Sequence, residues 1–476
     1  MQNVNDIINQ EKIFEILEKN CEPSEAEVLK ILEKAKLRKG LNLEEVGVLV
    51  NVKKPELIEK MFETAGRIKN EIYGERLVLF APLYVSNFCV NNCAYCGFRR
   101  DNQIQRRRLS TEEIKEQTKA LIEMGHKRLL LEFGEHPVET LIDYITETIK
   151  TIYGVKTKKG NIRRVNVNIA ATTAENYKKL KKAGIGTYQL FQETYHRPTY
   201  EKLHSGPKAD FERQLFAQTL AFKAGIDDIG LGALFGLYDW RFEILALVSH
   251  AKYLEKKFGV GPHTFSVPRF QPAEGVNFQP EYSVSEDELL KIIAILRMAV
   301  PYTGMIISTR ERPEIRKRAF EIGISQTSAG SRTEVGGYQR KLKIPAQGWS
   351  ASGRKSEELK ASGQFNIQDD RSLNEVVESI LRQGLLPSFC TACYRSKRTG
   401  KNFMDLAKPG NIHNFCRPNA LLTFKEYLKD FSAPKIKKLG AEIMNKYLNQ
   451  IPDSRIKNQT KIRLAKIENG ERDLFF

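Results

Sequence analysis

The chain has 476 residues, with 76 Lys and Arg against 58 Asp and Glu, giving a formal charge of +18. Its 41% hydrophobic residues, including 25 Phe and 17 Tyr, are enough to fill a large core, which excludes a disordered chain. No apolar run approaches the roughly 18 residues of a membrane span. The opening MQNVNDIINQEKIFEILEKN lacks the apolar centre of a signal peptide, so a cytoplasmic protein is expected.

Residues 1–74 read as a helical extension. Ile13, Ile16 and Leu17 fall at i, i+3 and i+4, PSEAEVLKILEKAK repeats the period, and Pro23 and Pro55 suit first-turn positions. The pattern then changes. Short β-branched or aromatic runs at 78–85, 128–133, 164–170, 187–193, 229–235, 263–270, 305–309 and 323–328 read as strands. Between them lie segments such as STEEIKEQTKALIEMG and DFERQLFAQTLAFKAG, which open on helix-capping residues and close on Gly. Eight strands alternating with helices over 75–340 predict an α/β fold of the (βα)8 TIM-barrel type, with an open doubly wound sheet as the alternative. Residues 341–371 are polar and rich in Gly and Ser, as a connecting loop would be. Residues 372–476 read as a helical domain, and more than half of the excess charge falls after Cys390.

Six of the seven cysteines form two triads, Cys89, Cys93, Cys96 and Cys390, Cys393, Cys416, leaving Cys21 alone in a charged helix. In a reducing compartment such clusters read as metal ligands rather than disulfides. The first triad, FCVNNCAYCGF, directly follows the first strand with CX3CX2C spacing. Three thiolates on one loop can hold three irons of a 4Fe–4S cluster and leave the fourth iron open to a small molecule. The alternatives are a zinc knuckle or a redox pair, although no fourth donor follows closely. The second triad has CX2CX22C spacing, and His413, three residues before Cys416, keeps a Cys3His zinc site in play beside a second iron–sulfur cluster.

The first motif resembles that of the radical S-adenosylmethionine (SAM) superfamily. The resemblance implies that Tyr95 flanks the cofactor and that Gly134 and Glu135, in LEFGEHP, receive the SAM amino group. It further implies contact of Glu193 with the methionyl or ribose part, while Arg213 is the candidate for the SAM carboxylate and Lys208 competes with it. The two triads together, from about residue 60 to the end, resemble the tyrosine lyases of FeFe-hydrogenase maturation. That family implies cleavage of L-tyrosine at Cα–Cβ to p-cresol and dehydroglycine. The dehydroglycine then yields carbon monoxide and cyanide, which enter an Fe(CO)2(CN) synthon for the hydrogenase H-cluster. It also implies a second 4Fe–4S cluster with an additional labile iron (a 5Fe form) and free L-cysteine. The implied partners are a scaffold GTPase and an electron donor such as ferredoxin or flavodoxin. The relative that serves thiamine thiazole synthesis, 2-iminoacetate synthase, shares the cleavage but lacks the second triad.

An amino-acid substrate needs a clamp for its carboxylate, and barrel active sites lie at strand C-termini. Arg310 at the end of strand seven, Arg269 after strand six and Ser328 at strand eight are the candidates. His263 begins strand six, at the opposite mouth, and the resemblance implies that it binds the labile iron of the second cluster. The basic charge alone would also suit a nucleic-acid-binding protein, but no nucleic-acid module accompanies it. Neither a nucleic-acid nor a membrane partner is expected.

Overall fold

A computed structural model describes residues 3–338 and 363–476. Eight parallel strands surround its centre: β1 (Arg76–Ser86), β2 (Arg128–Phe133), β3 (Arg164–Asn168), β4 (Tyr188–Gln189), β5 (Ile229–Gly232), β6 (Thr264–Ser266), β7 (Gly304–Ile307) and β8 (Gln326–Ser328). β1 closes the barrel, pairing through residues 81–86 with β2 and through 78–80 with β8. The open-sheet alternative therefore falls. All eight expected runs contribute a strand, several of them shorter than the apolar pattern. The run at 187–193 narrows to β4, and its last residue returns to the sheet only through a bridge between Glu193 and Ala233.

Connecting helices start and stop where their sequences direct. Ser110 caps Thr111–Met124 in a reciprocal capping box with Glu113, and Gly125 ends that helix in a left-handed conformation. Asp210 caps Phe211–Lys223, its side chain accepting Arg213 N. In the N-terminal extension Pro55 occupies the first helical position of Pro55–Tyr73, as expected. Pro23 does not: Ser24 caps Glu25–Lys36, so Pro23 lies one residue outside the helix.

The C-terminal region is helical except at one point the sequence reading missed. β9 (Leu386–Ser388) pairs in parallel with residues 76–78, below β2 on the same edge of β1. This pairing delivers Cys390 to the N-terminal end of the barrel, opposite the loop that carries the first triad. The helix His413–Asp430 then brings Cys416 to the same end. Residues 341–362 of the expected connecting loop lie outside the described residues. Among the described residues, no helix is long and apolar enough to cross a membrane.

Candidate active site and second cysteine cavity

The first triad sits on the loop leaving β1, and that loop is tied down on three sides. Val90 N donates to the Glu135 carbonyl at 2.8 Å, Ala94 N to Leu203 at 2.9 Å and Gly97 N to Gln364 at 3.0 Å. Gly134 is required here by crowding: a Cβ would overlap the Phe88 carbonyl and touch Cys89. Burial pushes the Cys96 thiol up to about 11 and Cys93 further still, because an isolated thiolate is poorly solvated in this loop. A metal centre is what makes such thiolates favourable. Among the described residues, no three His, Cys, Asp or Glu side chains converge tightly enough to clasp a single ion. An iron–sulfur cluster asks for a wider spread, since each thiolate binds a different iron.

Above the barrel, at the C-terminal ends of the strands, a cavity of about 990 Å³ opens beside this loop. Tyr95, Cys96, Glu193, Arg310 and Ser328 all line it. Tyr95 is fixed by a 2.8 Å hydrogen bond between its hydroxyl and His204 Nε2. Glu193 adopts a positive φ of 71°, unusual for a residue with a Cβ, with its carbonyl accepting Leu234 N at 2.7 Å. Its carboxylate holds Lys208 at 2.6 Å. Burial alone would lower the Lys208 pKa, but Glu193 and Cys93 outweigh it and the net shift is upward. The Arg310 guanidinium stacks 3.3 Å above the Phe365 ring and makes no ion pair among the described residues. Burial pulls its pKa down against the opposing pull of nearby acidic groups, and an incoming anion would offset that desolvation.

Other candidates stand elsewhere. Gly134, Glu135 and Arg213 line a neighbouring cleft with Val90, not the upper cavity. There Arg213 pairs with Glu135 at 2.6 Å, and Asn91 Nδ2 donates to the same carboxylate at 2.7 Å. Lys208, rather than Arg213, is the cation whose charge reaches Cys93 and Cys96. Arg269 is committed to the fold: its guanidinium grips both Glu311 oxygens and donates to the Val284 carbonyl at 2.9 Å. It does not line the cavity.

The sequence reading missed Glu132, Asn168, Gln364 and Phe365. Glu132 and Asn168 are register partners on β2 and β3, and both line the cavity. Burial raises the Glu132 carboxyl to about 8, with Arg310 and Asn168 opposing that shift. The signal was available, since a lone Glu interrupts the apolar run RLLLEF at an inward-facing position. Gln364 and Phe365 had none, being part of a polar loop whose folded position brings them over the barrel.

At the other end, a cavity of about 500 Å³ is lined by Cys390, Cys393, Cys416 and His263 together with Arg76, Arg128 and Tyr394. His263 Nδ1 faces Asp228 at 3.5 Å, leaving Nε2 as the nitrogen for a metal. Burial lowers the His263 pKa and keeps the ring in the neutral, ligating form. His413 is absent from this cavity's lining, and its Nδ1 is bonded to the Gly410 carbonyl at 2.6 Å. His413 is therefore not the histidine brought to the three thiols; His263 is. Between the two cavities lie polar side chains, with Gln189 Nε2 donating to Thr264 Oγ1 at 3.4 Å and Arg128 to Gln326 Oε1 at 3.0 Å.

Two family models match the chain: the radical SAM superfamily over residues 83–247 and the biotin and thiamin synthesis associated domain over 266–386. A 2-iminoacetate synthase of Escherichia coli (strain K12) is 31% identical over 332 residues, covering 69% of this chain and 82% of its own. A crystal structure of HydG, a maturase of the FeFe-hydrogenase, matches at 54% identity and a TM-score of 0.93, covering 99% of this chain and 100% of that one. A second, of HydG from Carboxydothermus hydrogenoformans, matches at 42% identity and 0.82, covering 98% and 100%.

Proposed function

Because the chain belongs to the radical SAM superfamily, and within it to the HydG family, we propose that it cleaves L-tyrosine at Cα–Cβ and assembles the products on iron. The products of cleavage are p-cresol and dehydroglycine, and the assembled species is an Fe(CO)2(CN) unit for FeFe-hydrogenase maturation. The observation that carries this reading is the pair of triads at opposite mouths of one barrel, each opening into its own cavity.

Cys89, Cys93 and Cys96 would hold a 4Fe–4S cluster, and Cys390, Cys393 and Cys416 a second one whose labile iron meets His263 and a free L-cysteine. With SAM bound, such a cluster would supply one-electron chemistry to the upper cavity. The chain's own residues do the rest. Arg310 clamps the tyrosine carboxylate, with the Ser328 hydroxyl beside it. Tyr95 and Glu193 shape the wall next to the cluster loop, and the Gln364–Phe365 cover excludes water. The Phe80, Leu130 and Ile306 side chains pack together inside the barrel as a floor that turns the cresol ring back. The small polar fragment passes the Gln189, Thr264 and Gln326 side chains toward the second cavity.

The 2-iminoacetate synthase reading shares the cleavage step. It is disfavoured by the lower cavity, which that reaction does not use, and by the 69% of the chain that the relative spans. His263 separates the two. His263→Ala is expected to retain p-cresol formation within about twofold while the iron-bound carbon monoxide and cyanide signals in the infrared disappear. Parallel loss of both, or full retention of both, would remove His263 from a specific role in the second step, whereas a wild type that forms p-cresol without iron-bound carbon monoxide and cyanide would favour the thiazole-type reaction.

A further inference from the structure

Around the second triad, guanidinium groups outnumber their counter-ions. Arg76 donates Nη2 to Cys416 Sγ at 3.5 Å and Nη1 to the Ser325 carbonyl at 3.2 Å. Arg128, only 7% exposed, donates to the Cys390 carbonyl at 3.1 Å and to Gln326. Arg398 gives its backbone N–H to the Cys393 carbonyl at 2.8 Å, and its side chain donates to the carboxylate oxygen of Phe476. Each cysteine therefore has its own arginine.

Neither Arg76 nor Arg128, the two that line the cavity, pairs with an Asp or Glu among the described residues, whereas the nearby Arg163, Arg395 and Arg417 all do. The Nε atoms of Arg128 and Arg398 are buried without an acceptor. Desolvated cations without counter-charge are unfavourable, so the arrangement calls for an anion in the cavity.

The first triad is built differently. Lys208 is neutralised by Glu193, and Arg213 by Glu135. Arg106 also faces that loop, but its guanidinium is spread over backbone carbonyls from Asn87 to Asn102. Arg310, which has no ion pair among the described residues, shares the upper cavity with Cys96, where the proposed substrate carboxylate would neutralise it. Among the described residues near the second triad, the buried Asp228 carboxylate faces His263.

We infer that Arg76, Arg128 and Arg398 form a cationic collar that stabilises the reduced, more negative state of the second iron–sulfur centre. It sets that centre's reduction potential above that of the first. The inference rests on the reading that the second triad holds a cluster. Positive charge and N–H donors beside cluster sulfurs favour the added electron. Any external donor able to reduce the first centre then reduces the second as well, which keeps it ready to take π-acid ligands.

The test is a redox titration of the anaerobically reconstituted full chain followed by electron paramagnetic resonance. Added SAM perturbs only the first centre's signal and so assigns the two. In the wild type the second centre is expected to reduce at the higher potential. Arg76→Gln is expected to lower that potential and leave the first unmoved, and Arg76→Lys to recover part of the loss. Arg128→Gln should shift it in the same direction, and it decides the matter if Arg76→Gln does not load its cluster. An unmoved second potential in the loaded Gln variants overturns the collar. A wild type that binds only one cluster overturns the underlying reading and the collar with it.

Discussion

Cys93→Ala is expected to reduce every product of tyrosine turnover, p-cresol included, to background. Cys93 is the buried member of the first triad, and the loop that holds it is stitched to β2, to Leu203 and to the Gln364 cover. Without its thiolate the loop offers two donors, too few to hold a cluster with one open iron. The substitution removes a polarisable buried group of modest size, so the fold should survive. The iron bound at Cys390, Cys393 and Cys416 should also survive, because those ligands lie at the far end of the barrel. Iron analysis of the purified variant, beside chromatographic assay of p-cresol, checks both parts. Residual p-cresol above background would show that the first triad does not initiate the reaction.

The second large effect belongs to Arg310. Two charge-assisted hydrogen bonds to a carboxylate are each worth about 1.5–3 kcal/mol. Their joint loss in Arg310→Ala should lower kcat/KM for tyrosine by on the order of 10²–10⁴. Arg310→Lys should recover only part, because an ammonium cannot reproduce the planar fork or its stack on Phe365. Arg269→Ala is the control. Its guanidinium is held by Glu311 and Val284, so its removal should lower the unfolding temperature while the folded fraction keeps near-normal kcat/KM. Steady-state kinetics on the three variants, with a melting curve for each, distinguish the clamp from the brace.

These two arginines also show how far the sequence alone could be read. Both follow a barrel strand, and both suit a carboxylate clamp. What separates them is Glu311, the residue next to Arg310 in the chain, which turns toward Arg269 instead. Side-chain direction at a strand end depends on neighbours from other strands, and no local pattern encodes it. The same holds for Arg213, whose partner Glu135 lies far back in the chain.

The strands themselves were legible because each is a short apolar run bounded by helix-starting and helix-ending residues. Barrel closure was not, since the pairing of β1 with β8 joins residues about 250 positions apart. β9 escaped for a different reason. It is three residues long, contains Pro387, and pairs only along one edge, where a missing N–H is tolerated. Yet that strand aims the second triad at the bottom of the barrel, and its position turns six cysteines into two separate sites.

The account stands on the claim that one chain carries two iron–sulfur centres with separate tasks. Anaerobic reconstitution of the full chain, followed by iron and sulfide analysis and assay with tyrosine, SAM and reductant, tests it most directly. The account predicts iron and sulfide sufficient for two clusters, with p-cresol, cyanide and carbon monoxide all formed. Iron for one cluster, with p-cresol but no cyanide or carbon monoxide, would contradict it.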